Sequence, residues 1–329
     1  MYPWERVVPK QDSTLRIIHE SASRGHEVSI THPNKLTIRD SITYAFCKKI
    51  TNDKIKKDIP SFYKSVEFEE DMIDLKTFDV IFMRDNPPID TLMLNFLDSI
   101  KDDVFIINSV EGLRKANNKI YTAAYYDPNH DFIPKTHVSK NIDYLMRVIS
   151  ESDQENMILK PLDGYGGSGV IVVETKALSS IKSLLDFYIN REKGVSNYVI
   201  LQEFVEGADE GDVRVLMLNG KPVGALRRRP ASGDMRSNIS AGGKVEKYTL
   251  TKEDEFLCKS IGEKLVHDGI YYAGLDIIGG KLIEVNVMSP GTITDINKLN
   301  KTKIQSKIVK YLEKVIAEKV KKNADSIFL

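Results

Sequence analysis

The stretch Met157-Ile-Leu-Lys-Pro-Leu-Asp-Gly-Tyr-Gly-Gly-Ser-Gly-Val-Ile-Val-Val173 decides how this 329-residue chain is read. A short apolar run ends on Lys160, a loop carries glycines at 164, 166, 167 and 169, and a β-branched run leaves it from Val170 to Val173. Glycine takes up positive φ and lets the backbone approach a ligand closely. Successive main-chain N–H groups in such a loop make a concave anion site. A lysine on the entering strand adds a fixed positive charge, so a polyphosphate is the fitting ligand. The loop is not a Walker P-loop, because no Gly-Lys-Ser/Thr follows and no helix opens after it. It is not the dinucleotide fingerprint either, whose loop leads from a strand into a helix. It reads as a phosphate flap between two antiparallel strands. Glycine content alone would suit a plain tight hairpin equally well; Lys160 and carboxylates further along the chain decide for phosphate.

Those carboxylates are Asp276 and Glu284, on the two arms of a hairpin predicted from Tyr272 to Val287, with Asn286 two residues beyond Glu284. Alternation along a strand puts Glu284 and Asn286 on one face. Asp276 joins them only across an odd-length turn such as Gly279-Gly280-Lys281; a two-residue Gly279-Gly280 turn would send it to the other face. A metal site that used all three would therefore need a turn of three residues or more, and a plain two-residue turn would count against it. Both arms are strongly apolar (Leu275, Ile277 and Ile278; Ile283, Val285 and Val287), which commits one face to a core. Two carboxylates and an amide oxygen are hard donors, suited to Mg²⁺ bridging nucleotide phosphates and not to zinc. Taken alone, the acids could as well be solvent-facing residues of a surface hairpin.

The bulk numbers narrow the class. A formal net charge of +0 with 29% charged residues argues against a broad nucleic-acid or membrane surface. A hydrophobic content of 41% is ordinary for a globular protein. No apolar stretch has the length of a membrane span, and Met1-Tyr-Pro-Trp-Glu-Arg6 lacks the apolar region of a signal peptide. A cytoplasmic setting is the expectation. Cys47 and Cys258 match no metal spacing and read as reduced, structural thiols.

The length suits two or three subdomains, and the expected fold class is α/β, turning to α+β in the C-terminal half. Residues 1–118 alternate helix and strand, as an open parallel sheet would. Asp12-Ser13-Thr14 caps a helix running to about Arg24, and Gly25 ends it. Strands are predicted at Glu27–Ile30, Phe78–Met83 and Phe105–Ile107. A doubly wound domain usually opens with a strand, yet only Val7-Val8 beside Pro9 precedes the first helix; the expectation is that this strand is missing from the chain as numbered. Residues 119–200 hold a helix from about Asn117, the flap, a helix over Ile181–Asn190 and a strand over Tyr198–Leu201. Residues 201–329 hold a hairpin around Asn219-Gly220, a polar loop over 230–244 with the composition of a closing lid, a helix over Lys252–His267 and the carboxylate hairpin. A C-terminal amphipathic helix carries Ile304, Ile308, Leu312 and Ile316. No internal repeat is visible.

Taken together, Met83-Arg-Asp-Asn-Pro-Pro-Ile-Asp90, Lys160-Pro-Leu-Asp-Gly-Tyr-Gly-Gly167, Arg236-Ser-Asn-Ile-Ser-Ala-Gly-Gly243, Gly274-Leu-Asp-Ile-Ile278 and Glu284-Val-Asn-Val-Met-Ser-Pro290 resemble bacterial glutathione synthetase, an ATP-grasp ligase, from Asp12 to about residue 300. The lysine, the flap and the Asp…Glu-x-Asn set mark ATP-grasp enzymes generally. The Arg-Asp-Asn-Pro-Pro segment and the Arg-x-Asn…Ala-Gly-Gly loop point to glutathione synthetase within them. The resemblance implies an N-terminal preATP-grasp domain followed by an ATP-grasp domain of two subdomains. It implies ligation of γ-glutamylcysteine and glycine with ATP, and a homo-oligomer, tetramer or dimer, with no nucleic-acid or membrane partner.

Carried over by position, Lys119 and Lys160 hold ATP phosphates together with Gly164, Tyr165, Gly166 and Gly167. Gln202, Glu203, Phe204 and Val205 read the adenine edge. Asp276, Glu284 and Asn286 hold two Mg²⁺, or Mn²⁺, ions. Arg228, Arg214 and Lys160 are the catalytic cations. Arg84, Arg236, Asn238, Ser289, Pro290 and Gly291 face substrate carboxylates. Without the resemblance, Arg227-Arg228-Arg229 reads more readily as a solvated or nucleic-acid-binding run, Arg84 as a solvent-facing strand end, and Lys119 as a surface lysine. His19, His26 and His137 show no ligand or base pattern. Where the family often has Arg-Glu after the Ser-Pro turn, this chain has Thr294-Asp295. Three functions fit the residues: glutathione synthetase, another ATP-grasp ligase with a different carboxylate and amine, and a nucleotide-binding module without catalysis. The intact Lys160, Arg228, Asp276, Glu284 and Asn286 argue against the last.

Overall fold

The computed structural model describes residues 1, 3–162, 167–190, 195–231 and 242–326. Helix α1 (Ser13–Ser23) begins where the Asp12 carboxylate accepts the Leu15 N–H at 2.6 Å, and the chain leaves it through Gly25 at φ +87. Its buried stripe serves two clusters. Leu15 and Ile18 pack with Val7, Ile30 and Phe62, whereas Ile17 packs with Ile107 and Tyr272.

Strands β1 (Ser29–Ile30), β2 (Leu36–Arg39), β3 (Ile42–Ile50) and β4 (Phe68–Asp74) make one antiparallel sheet around β3, with α2 (Ile59–Ser65) between β3 and β4. The expected parallel pairing is confined to β5 (Val80–Phe82) and β6 (Phe105–Ile107), joined through α3 (Thr91–Asp98), and the strand expected at Glu27–Ile30 lies in the antiparallel sheet instead. Strands β2 to β4 lie outside the elements expected from the sequence. Their period-two signal is there in the buried Thr43, Ala45 and Cys47. Their turn, however, is made by Asp40 and Ser41 at φ 51 and 65, with no glycine to mark it.

Two short helices, α4 (Val110–Ala116) and α5 (Ile120–Ala123), lead onward; the helix expected from Asn117 is this single turn. Strands β7 (Thr136–Ser139), β8 (Asn156–Pro161), β9 (Ile171–Glu174) and β10 (Val199–Glu203) pair antiparallel in the order β7-β10-β8-β9. The flap thus joins antiparallel strands β8 and β9, as read. Helices α6 (Ile142–Ser150) and α7 (Leu178–Ile189) cover this sheet through Leu145, Ile149, Ile181 and Leu185.

The central sheet holds β11 (Asp212–Leu218), β12 (Lys221–Arg229), β13 (Lys244–Lys247), β14 (Tyr272–Ile278) and β15 (Lys281–Asn286) in the order β13-β12-β11-β14-β15. Helix α8 (Lys252–His267) has the predicted bounds, because Thr251 and Asp254 form a capping box at its start. It packs Leu257 and Ile261 in one cluster with Val213, Val215, Ala273 and Leu275. On the opposite face Leu216, Leu226 and Tyr272 meet α9 (Ile293–Asn300) and α10 (Ile304–Ser326) through Ile296, Ile304 and Ile308. The far end of that second face, toward Asp212 and Asp276, is polar and carries the site. Cys47 and Cys258 are buried and unpaired, and burial pushes their thiols up to about 11 and about 12.

Candidate active site

Two hairpins of the central sheet build the site, each with one extra residue. The turn at Gly279-Gly280 holds two residues, since Ile278 pairs with Lys281 and Ile277 with Leu282. Both glycines sit at positive φ, 52 and 73, as a tight hairpin turn requires. The predicted three-residue turn is therefore absent. By the turn alone Asp276 would oppose Ile283, and Glu284 would face the α8 side. A β-bulge restores the alignment: Ile283 is the extra residue of β15, so Asp276 pairs with Glu284 and Gly274 with Asn286. The hairpin β11–β12 repeats the device. Its turn is Asn219-Gly220 at φ 47 and 74, Val223 is the extra residue of β12, and Asp212 comes to oppose Arg228. Without that bulge Arg227 would stand there.

The side chains brought together are charged and buried. Asp276 accepts both arms of the Arg214 fork, with Nη2 to Oδ2 at 2.9 Å, and Arg228 Nη2 lies 3.0 Å from its Oδ1. Asn286 Nδ2 donates to Asp276 Oδ2 at 3.2 Å. The Arg228 fork closes on Asp212, with Nε to Oδ1 at 2.6 Å. Burial drives the Asp276 carboxyl upward, but Arg214 and Arg228 outweigh it and hold it at about 2. Burial and the neighbouring Asp276 push Asp212 the other way, above the ordinary carboxylate value. Two guanidinium and two carboxylate groups thus stand in mutual contact, a fully paired arrangement of the kind a buried charge needs.

Lys119, at the N-cap of α5, brings its Nζ within 3.4 Å of Glu284 Oε1 and 3.5 Å of the Leu162 carbonyl. Lys160 is buried on β8 and donates to Gln202 Oε1 at 2.9 Å, while Gln202 Nε2 donates to Thr136 Oγ1 at 2.7 Å. Burial pulls the Lys160 ammonium down to about 8, against the upward pull of Glu284 and Asp276. Strand β10 ends at Glu203, whose carboxylate accepts the Lys135 N–H at 3.0 Å. Phe204 and Val205 follow beside the carboxylate hairpin: a Cβ on Gly279 would lie 2.5 Å from the Glu206 carbonyl and 3.1 Å from Val205 Cγ1. Gly167 is at φ 77. Gly164, Tyr165, Gly166, Arg236 and Asn238 lie outside the described residues.

At the other end of the same sheet face sits Arg84, only 5% exposed. Its guanidinium stands 5.6 Å from the ring centroids of both Phe82 and Tyr272. Nε donates to Thr14 Oγ1 and Nη2 to the Pro290 carbonyl, each at 3.1 Å. Nη1 and the Tyr272 hydroxyl are buried without a hydrogen-bond partner, and Arg84 has no carboxylate partner among the described residues. Burial lowers its pKa from the ordinary arginine value. Arg84 is therefore not the solvent-facing strand end that its position allowed. The turn after β15 carries Ser289 at φ 45 and Thr292 at φ 72, with Pro290 and Gly291 between them. A Cβ on Gly274 would meet both Pro290 Cβ and Arg214 Cδ at 3.3 Å, so Arg214 and this turn lie over that glycine. Thr294, at the departure from the family pattern, accepts from Arg16 Nε and donates to the Gln11 carbonyl at 3.0 Å.

Sequence reasoning missed Thr14, Thr136, Asp212 and Tyr272. Only Asp212 left a signal, two residues before Arg214 on one strand and hence on its face. For metal, the donors are two carboxylates and an amide. Among the described residues no three His, Cys, Asp or Glu side chains gather as a metal cage. Mg²⁺ takes one or two carboxylates and completes its shell with water and substrate phosphates, so this small hard set fits it.

The model of the family described as "Prokaryotic glutathione synthetase, ATP-grasp domain" matches residues 118–301, and that of its N-terminal domain matches residues 1–114. The chain belongs to the prokaryotic glutathione synthetase family. It is 31% identical to the glutathione synthetase of Thermosynechococcus vestitus over 94% of this chain and 97% of that one. It is 32% identical to that of Agrobacterium fabrum over 92% and 91%. Among solved structures, the ATP-grasp ligase PsnB complexed with a minimal precursor superposes with a TM-score of 0.61 at 17% identity, over 91% of this chain and 94% of that one. D-cycloserine synthetase DcsG gives 0.55 at 15%, over 73% and 86%. Both share the fold. As a glutathione synthetase family member the chain is an ATP-dependent ligase, and the ATP-grasp class generally uses Mg²⁺ or Mn²⁺ with ATP. Among the described residues no helix is long and apolar enough to cross a membrane.

Proposed function

We propose that the protein joins γ-glutamylcysteine to glycine, with ATP cleaved to ADP and phosphate through an acyl phosphate. The observation that carries this reading is the run of cations along one sheet face. Arg84 lies at one end with no carboxylate partner among the described residues, and Arg214 and Arg228 lie at the other around Asp276. A substrate with a carboxylate to anchor and another to activate suits that spacing.

The chemistry needs positioning and charge neutralisation more than a covalent nucleophile. Lys119, Lys160 and the main chain of 164–167 receive the ATP phosphates, and the segment Gln202 to Val205 receives the adenine edge. Asp276, Glu284 and Asn286 would hold the divalent ions, two in number, which screen phosphate charge when bound. The cysteinyl carboxylate attacks the terminal phosphorus; a C–O–P bond forms and the bond to ADP breaks. Arg228 and Arg214 face the transferred group. The glycine amine then attacks the acyl carbon, phosphate leaves from the tetrahedral intermediate, and the amine proton passes to solvent. Arg84 and the Ser289-Pro290-Gly291 turn anchor substrate carboxylates. Arg236 and Asn238 belong to the 230–244 segment, to which we assign the exclusion of water. The division at 1–118, 119–200 and 201–329, the dimer or tetramer, and a cytoplasmic setting suited to two unpaired thiols belong to the same reading.

The test is phosphate release from Mg-ATP with γ-glutamylcysteine and glycine, omitting each in turn. Release that needs both, with glutathione formed, is the expected result. Release with an unrelated carboxylate and amine, and none with this pair, would assign the chain to a different ligation.

A further inference from the structure

We infer that Thr122 is a positioning residue for the cation-binding group: its hydroxyl selects the bulged register of β15 that sets Glu284 opposite Asp276. The inference rests on the reading of Asp276, Glu284 and Asn286 as the residues that hold the divalent ion.

Strand β15 is the edge of the central sheet, so every second main-chain N–H along it points away from β14. In a regular strand those outward amides fall two residues apart. Here the outward amides are Leu282, donating to the Phe132 carbonyl at 2.7 Å, and Val285, donating to Thr122 Oγ1 at 3.2 Å. Their spacing of three is the bulge at Ile283 seen from outside the sheet. One acceptor sits on each side of the extra residue, and together they fit the bulged register alone. In the regular register the residue facing Thr122 would be Glu284 or Asn286, and Ile283 would face Asp276.

The two acceptors are not equal. The Phe132 carbonyl belongs to a loop held by Asp127, whose carboxylate accepts the N–H groups of Asp131, Phe132 and Ile133. It offers the same main-chain oxygen whatever the side chain. Thr122 is a buried hydroxyl on α5, and among the described residues it is the side chain that accepts an outward amide of β15. Helix α5 is itself anchored by the neighbouring Tyr121, whose hydroxyl donates to Asp268 at 2.9 Å, where Lys115 and Lys264 also bind. The same helix presents Lys119 to Glu284. One short helix therefore touches both the carboxylate and the amide that follows it, and Thr122 couples the helix position to the strand register. Buried amides are rarely left unpaired, and groups that orient metal-holding residues without touching the ion tune its affinity.

The experiment compares wild type, Thr122→Val, Thr122→Ser and Glu284→Gln. It reads amide hydrogen exchange of Leu282 to Asn286 in the metal-free protein, and binding of Mn²⁺ in the presence of a non-hydrolysable ATP analogue. Valine keeps the shape and removes the acceptor; serine keeps the acceptor. Thr122→Val is expected to speed exchange across the bulge and weaken Mn²⁺ binding by about tenfold or more. Thr122→Ser should stay close to wild type in both. Fast exchange at Val285 in the wild type would overturn the inference without any variant, even if Thr122→Val fails to fold. Wild-type Mn²⁺ affinity in a folded Thr122→Val would overturn it too, provided Glu284→Gln loses affinity. Undiminished Mn²⁺ binding in Glu284→Gln would instead remove the cation assignment on which the inference stands.

Discussion

Hairpins β11–β12 and β14–β15 are built alike and hold their charges differently. Each has a two-residue turn at positive φ, two regular pairs, and one extra residue in its second strand, Val223 or Ile283. The bulge in one selects Arg228 for the site, and the bulge in the other selects Glu284. Arg228 is then locked inside the sheet by Asp212 and Asp276. Glu284 keeps a side chain 30% exposed, and its paired cation, Lys119, comes from a helix outside the sheet. The first hairpin carries a preset electrostatic cluster. The second lends Asp276 to that cluster and keeps Glu284 partly exposed, open to the proposed cation. Preorganisation and accessibility are divided between two copies of one device.

The comparison can be broken at several points. The largest effect is expected from Arg228→Met, which leaves Asp212 and Asp276 buried with one cation fewer. Urea unfolding should show a loss of about 3–5 kcal/mol, the cost of breaking a buried ion pair from one side. Turnover should fall by a factor of about 10²–10³. Unchanged stability would mean that the cluster is not preset.

Glu284→Gln tests the open hairpin. Ligation should drop by about 10–100-fold or more, with stability within about 0.5 kcal/mol of wild type because the side chain is partly exposed. A large loss of stability would erase the distinction between the hairpins.

A pH series sharpens it next. Burial sets the Lys160 ammonium at about 8 in the free protein. The charged form is the one that attracts phosphate, so KM for ATP should stay flat below that pH. Above it, KM should rise on the order of tenfold per unit. In Lys160→Arg the bend should vanish, since arginine stays charged. A bend that persists in Lys160→Arg would assign the titration to another group.

The smallest effect concerns the turns. Gly280 has φ +73, and a Cβ there meets nothing within 4 Å. Gly280→Ala should therefore cost only the backbone strain, about 1 kcal/mol by thermal or urea melts. Gly279→Ala should cost more, because its Cβ would strike the Glu206 carbonyl. Equal costs would deny the close approach of residues 205–206 to the hairpin.

These residues also show what was legible beforehand. The flap strands, the span of helix α8 and both hairpins follow from glycine placement and alternation, and so does the shared face of Glu284 and Asn286. The turn length did not, because a bulge and a longer turn shift parity in the same way and leave the same facing pattern. The metal reading asks that Asp276 and Glu284 meet; sequence parity says only that this needs one odd residue, not where that residue is stored. The antiparallel N-terminal sheet was hidden by an Asp40-Ser41 turn without glycine. Thr122 and Thr136 were hidden because a hydroxyl's role depends on which strand passes it.

The most direct measurement of the central claim is the fate of oxygen in the reaction. γ-Glutamylcysteine labelled with oxygen-18 in its cysteinyl carboxylate is ligated to glycine with ATP, and the released phosphate is analysed by mass. The expected result is transfer of one labelled oxygen to phosphate, as an acyl phosphate requires. Unlabelled phosphate released alongside labelled glutathione would contradict carboxylate activation, and with it the assignment of Arg214 and Arg228 to the transferred group.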